Sequence, residues 1–66
     1  MGKLRLKELR EDAELSQLQL GKAIGVDQRT ISNYENEVSE PDIETIKNLC
    51  DFFKVTTDYF LGYSEI

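Results

Sequence analysis

Ser16 to Asn36, SQLQLGKAIGVDQRTISNYEN, is the stretch whose reading decides the fold. Ser16 followed three residues on by Gln19 is a capping box, in which each side chain satisfies a backbone N–H left orphaned at a helix start. A helix therefore begins at Gln17. Leu20, Ala23 and Ile24 fall at the i, i+3, i+4 spacing of one buried face. Gly25 ends that helix, because glycine enters the left-handed conformation of a C-cap without a Cβ penalty. Asp27 caps a second helix, with Val26, Ile31 and Tyr34 turning inward around it. Gly21 costs about 1 kcal/mol of helix propensity relative to alanine, which points to a close approach of the two helices. On 3.6-residue geometry Gln28, Arg29, Ser32 and Asn33 project away from Ile31 and Tyr34.

Two short helices meeting at a sharp angle, with polar forks on the outer face of the second, fit major-groove reading. Amides and guanidinium groups match the donor and acceptor pairs of base edges. Gln28 suits adenine N6 and N7, and Arg29 suits guanine O6 and N7. Thr30 can touch a thymine methyl or a phosphate, Asn33 a base one turn on, and Ser32 either. Gln17, at a helix N-terminus beside free N–H groups, suits a phosphate, as does Asn36 from the other side. The competing reading is a solvated helix face, which also carries Gln, Arg and Asn.

The stretch resembles the helix-turn-helix of the phage Cro and repressor family. The resemblance rests on Gln17, Leu20 with Gly21, Ile24-Gly25-Val26, Ile31, Tyr34 and Glu35-Asn36, and it extends from about Leu6 to Gly62. The ending VTTDYFLG is similar to repressors of Gram-positive bacteria and their mobile elements. The resemblance implies an all-α, five-helix, lambda-repressor-like domain with the helix-turn-helix in helices 2 and 3. It also implies that Arg10 pairs with Glu35, bridging helix 1 to the end of helix 3. Glu14 departs from the family, which often has glycine or asparagine where helix 1 turns into helix 2. So does Leu18, apolar where a charge is common, and so do Glu37 and Glu40, standing where relatives place basic phosphate contacts.

Helix 1 is expected from about Lys3 to Ala13, with Leu6, Leu9 and Ala13 on one face. After a loop from Asn36 to Pro41, Asp42 caps helix 4, expected over about Ile43 to Phe53 with Ile43, Ile46, Leu49, Cys50 and Phe53 inward. Thr56 or Thr57 opens a last short helix that Gly62 stops. Residues 1–66 form one domain, whose buried fraction of about 60% makes stability marginal without a partner. Tyr59, Phe60, Tyr63 and Ile66 crowd apolar surface at one end, where a homodimer through the C-terminal helix is expected.

The net charge of −5 is the wrong sign for approaching phosphates. Its distribution moderates the conflict: residues 1–31 hold six basic side chains against five acidic, and residues 32–66 two against eight. Weak non-specific binding and a modest salt slope follow. The leading function is a transcriptional regulator, a repressor, binding a double-stranded operator as a dimer. The alternative is a protein-interaction module, an antitoxin or anti-repressor partner, favoured by the acidic balance. With no histidine, no nucleophile placed beside a base, no metal-ligand cluster and no phosphate-binding glycine loop, catalysis and cofactors have no support. The lone Cys50 reads as a small core residue rather than a redox sensor. No apolar run approaches the roughly 20 residues of a membrane span, and no signal peptide is visible behind Met1, so the cytoplasm is the expected compartment.

Overall fold

The computed structural model describes residues 4–63, which form α1 (Leu6–Asp12), α2 (Gln17–Ile24), α3 (Gln28–Glu35), α4 (Ile43–Phe53) and α5 (Thr57–Phe60). The described residues contain no strand. Lys3, expected to start helix 1, and Ile66, expected among the terminal apolar residues, lie outside them.

Four of the five helix starts are set by local capping. The Ser16 hydroxyl accepts from Gln19 N at 3.0 Å, and Ser16 N donates to Gln19 Oε1 at 2.8 Å, the reciprocal box read from the sequence. Asp27 accepts from Arg29 N, Asp42 from Thr45 N, and Thr56 from Tyr59 N. The first of these is long at 3.4 Å, so Asp27 is the weakest of the caps. The Asp42 carboxylate is held below its ordinary pKa, chiefly by its hydrogen bonds from Thr45.

Helix α1 is the exception. No side chain caps it. Instead Arg5 N donates to Phe60 O at 3.0 Å and Arg5 Nε to Tyr59 O at 2.8 Å, so the start of α1 and the end of α5 satisfy each other's orphaned backbone groups. The Arg5 guanidinium also lies 4.5 Å from the centre of the Tyr59 ring, a cation–π contact. This tertiary capping begins the helix at Leu6 rather than near Lys3. At the other end α1 stops at Asp12, and Glu14 takes the strain of the turn at φ 59°.

Two helices close in the same way. Gly25, at φ 82°, and Val26 both donate their N–H to Gly21 O at 2.8 Å. After α4, Lys54 at φ 59° and Val55 both donate to Cys50 O. The first closure uses glycine, and the second forces a lysine into the left-handed region.

Each helix contributes to one core, made of Leu6, Leu20, Ile31, Leu49, Cys50 and Phe60, with Leu9, Ile24, Val26, Tyr34, Ile46 and Phe53 packed around it. Burial pushes the Cys50 thiol pKa up, as expected for an inert core cysteine. Several expected positions differ. Ala13 and Ala23 are exposed: α1 ends before Ala13, and α2 buries only Leu20 and Gly21, with Ile24 half-buried. Ile43 is 77% exposed: as the first residue of α4 it projects past the end of the core although its spacing matches Ile46 and Leu49. Leu18 is 46% exposed and extends no core. Phe60, expected at a dimer surface, is fully buried. Its one-residue offset from the half-buried Tyr59 turns its ring inward, toward the core built around Leu6 and Leu49.

Candidate nucleic-acid interface

The interface candidate begins with how α3 is held. At its start, the Cα of Gly21 packs against the turn: a Cβ there would stand 2.6 Å from Val26 O and 3.4 Å from Gln28 N. No other residue permits that approach. At its end, Glu35 is buried to 3% side-chain exposure and receives three donors. Arg10 Nε reaches Glu35 Oε2 at 2.7 Å and Arg10 Nη2 reaches Oε1 at 3.1 Å, a bidentate pair. Arg10 Nη1 donates to Leu15 O at 2.8 Å, which locks the α1–α2 turn into the same network. These bonds to Glu35 raise the Arg10 pKa, outweighing the desolvation that opposes it. The implied Arg10–Glu35 bridge is therefore present.

The third donor is Gln17, whose Nε2 lies 3.0 Å from Glu35 Oε1. The sequence places Gln17 outward, toward a phosphate, and carries no sign of this inward bond. One amide hydrogen is committed to Glu35, leaving the other for an external acceptor. Nothing in the spacing of two residues 18 apart signals the contact, which exists only because α2 and α3 run past each other.

With Ile31 buried, the outer face of α3 carries the predicted readers. Gln28 and Arg29 are exposed in the first turn, while Thr30, Ser32 and Asn33 are half-buried. Among the described residues no side-chain hydrogen bond or ion pair engages Gln28, Arg29, Thr30 or Asn33, so their polar atoms are unspent. Asn36, exposed at the C-cap, donates from Nδ2 to Ser32 Oγ at 3.2 Å, joining two predicted site residues into a pair. The helix that carries them is about 12 Å long at 1.5 Å per residue, the width of the major groove.

The charge beside this face is sparse. Lys22 and Arg29, the cations of α2 and α3, are both exposed, while Arg10 of α1 is neutralised by Glu35. Glu37, at φ 61°, and Glu40 are exposed in the loop that follows. No group of His, Cys, Asp and Glu suited to a metal occurs among the described residues.

Comparison with known proteins agrees with this architecture. A helix-turn-helix family model matches residues 6–60. The chain is 36% identical over 62 residues to the HTH-type transcriptional regulator ImmR of Bacillus subtilis, covering 94% of this chain and 49% of that protein. It is 33% identical over 61 residues to the antitoxin PezA of Streptococcus pneumoniae, covering 92% of this chain and 39% of that one. The chain thus spans half or less of the length of these two relatives. Among solved structures, the P22 c2 repressor in complex with a synthetic operator superposes with a TM-score of 0.84 at 30% identity, over 91% of each chain. With five helices in this order and a family match running from α1 to α5, the chain belongs to the helix-turn-helix family.

Proposed function

We propose that this chain is a sequence-specific double-stranded DNA-binding domain of a transcriptional regulator, a repressor, reading the major groove with α3. The observation that carries the reading is the unspent outer face of α3, with Gln28, Arg29, Thr30 and Asn33 held on a helix pinned at both ends. The operator-bound repressor among its structural neighbours supports it.

Gln28 pairs with adenine and Arg29 with guanine, each worth about 1–3 kcal/mol of discrimination. Thr30 and Asn33 take neighbouring positions, and Ser32, Gln17 and Asn36 contact the backbone or an adjacent base edge. With few exposed cations near α3, base contacts carry a larger share of affinity than phosphate neutralisation does. The protein acts in the cytoplasm as a homodimer formed through the α5 end, where Tyr59 is half-buried and Tyr63 is 73% exposed. Phe60 belongs to the core and takes no part. Two-fold symmetry then places the half-sites about 34 Å apart.

The exposed Glu37 and Glu40 favour a second reading, a protein-interaction module such as an antitoxin in which DNA binding is weak. The similarity to PezA is in keeping with it. Selection of duplex DNA from a random library by the purified chain, at low and near-physiological salt, separates the two. A palindrome enriched by the native chain and lost by Arg29→Ala supports the base reader. A folded chain that enriches nothing at either salt refutes it and leaves the interaction module.

A further inference from the structure

We propose that Glu37 is a specificity-determining residue of the base-reading face: its carboxylate, fixed by the chain turn at the end of α3, accepts from the exocyclic amine of a cytosine in the major groove and is repelled where that amine is missing. The proposal rests on the base-reading function above and adds to it a reader of negative charge, placed just beyond the helix.

Helix α3 closes on Glu37. Glu37 N donates to Tyr34 O at 3.2 Å and Val38 N to Asn33 O at 2.8 Å, the paired bonds of a helix end whose closing residue takes the left-handed conformation. Glu37 does so at φ 61°, where glycine is the unstrained choice. Its charge is also the wrong one for a helix C-terminus, whose dipole opposes an anion. Two local rules are broken at one residue, and nothing within the fold compensates: Glu37 is exposed, and no hydrogen bond or ion pair among the described residues engages its carboxylate. Glu14 and Lys54 share the left-handed conformation, but neither closes the helix that carries the readers. Uncompensated strain of this kind concentrates at functional positions.

The turn makes Glu37 an extension of the reading face. In register it stands four residues beyond Asn33 and eight beyond Arg29, about 6 Å past Asn33 along the helix axis. Because its backbone is tied to the carbonyls of Asn33 and Tyr34, the carboxylate travels with α3. Glu40 has no such tie among the described residues and adds only charge.

An ionised carboxylate accepts and does not donate. Phosphates, guanine O6 and N7, and thymine O4 present it with further acceptors, whereas cytosine N4 and adenine N6 present donors. Cytosine is the better match of the two. The adenine amine has N7 beside it on its own base, an acceptor that faces the second carboxylate oxygen, and the cytosine amine has only a C–H there. One side chain thus weakens binding to wrong sequences and strengthens it at the right one, which widens the ratio between them. The cytosine lies beyond the base read by Asn33, at the opposite end of each half-site from the base read by Gln28.

The test repeats the random-duplex selection with the native chain, Glu37→Gly and Glu37→Gln, and then measures affinity on the selected duplex, on the same duplex with the assigned cytosine replaced, and on a scrambled one. The native chain prefers cytosine at that position by about tenfold, within the range of a good base contact. Glu37→Gly loses this preference, keeps the rest of the selected sequence, and binds the scrambled duplex about twofold more tightly because a repulsive charge is gone. Glu37→Gln shifts the preference toward adenine, since a carboxamide matches N6 and N7 together. Glu37→Gly also takes the left-handed turn without strain, so its Tm rises by about 2–8 °C. The same base profile in all three chains, or an equal gain by Glu37→Gly on the selected and scrambled duplexes, overturns the proposal, and a lowered Tm overturns the strain on which it leans. Arg29→Ala runs in parallel: if it leaves the selected sequence unchanged, the base-reading function itself has failed, whereas its loss beside an unchanged profile for the Glu37 variants rejects only the part given to Glu37.

Discussion

Gly21→Ala sets two effects of comparable size against each other. In an unconstrained helix the change stabilises by about 1 kcal/mol, because glycine is the poorer helix former. Here the added methyl would stand 2.6 Å from Val26 O, a backbone atom with no rotamer to change. Ordinary contact needs about 3.4 Å, so the α2–α3 turn must open by several tenths of an ångström. That turn cannot open cheaply, since Gly25 N and Val26 N both donate to Gly21 O at 2.8 Å and hold it shut. Forcing a methyl into packed structure costs about 1–3 kcal/mol, and the weakening of two closing bonds brings this case to the upper half. The net effect is a loss of about 1–2 kcal/mol, which for a domain of this size lowers Tm by roughly 5–15 °C. Thermal unfolding followed by circular dichroism at 222 nm measures it, with Lys22→Ala as an exposed control near zero. Because the start of α3 moves, affinity for the selected duplex should fall further than the stability loss alone explains. A Tm equal to or above that of the native chain would falsify the close approach and the account of the helix-turn-helix angle built on it.

Lys54 sits at φ 59° on an exposed helix end, so Lys54→Gly should stabilise by about 0.5–1 kcal/mol and leave DNA affinity unchanged; a lower denaturant midpoint would contradict the strain assigned there. Phe60→Ala removes a fully buried ring and should cost about 3–5 kcal/mol, unfolding most of the population, whereas Tyr63→Ala should weaken a dimer without loss of helix. Sedimentation beside circular dichroism distinguishes these, and a folded monomer from Phe60→Ala would return that residue to the interface. The lowered pKa of Asp42 means that its cap stabilises fully above the unfolded-state pKa and is lost as pH falls through the lower folded value. Asp42→Asn, which caps without titrating, should flatten the acid limb of the stability curve, and an unchanged limb would place that dependence elsewhere.

Much of the fold was legible because the signals were local. The Ser16–Gln19 box, the Gly25 C-cap and the Asp27 and Asp42 caps each act within four residues, so their meaning survives removal from the tertiary structure. The expected span of α4, about Ile43 to Phe53, agrees with the structure, its start set by the Asp42 cap. The outward set on α3 followed from Ile31 and Tyr34, since inward positions on a short helix orient the rest. The Arg10–Glu35 bridge was available only through family resemblance, because nothing local links residues 25 apart.

Sequence by itself determined where α2, α3 and α4 start and which side chains are fit for base edges, because each depends on neighbours within one or two turns. Only the tertiary structure decided how those pieces use each other. Arg5 begins α1 by capping α5, which no local pattern encodes. Phe60 rather than Tyr59 enters the core, a choice between adjacent aromatics made by where α5 docks. Ile43 keeps its helical period and loses its burial, since period says nothing of how far the core extends. Gln17 turns a hydrogen inward to Glu35 because α2 and α3 cross there, and a crossing is a property of the packed chain.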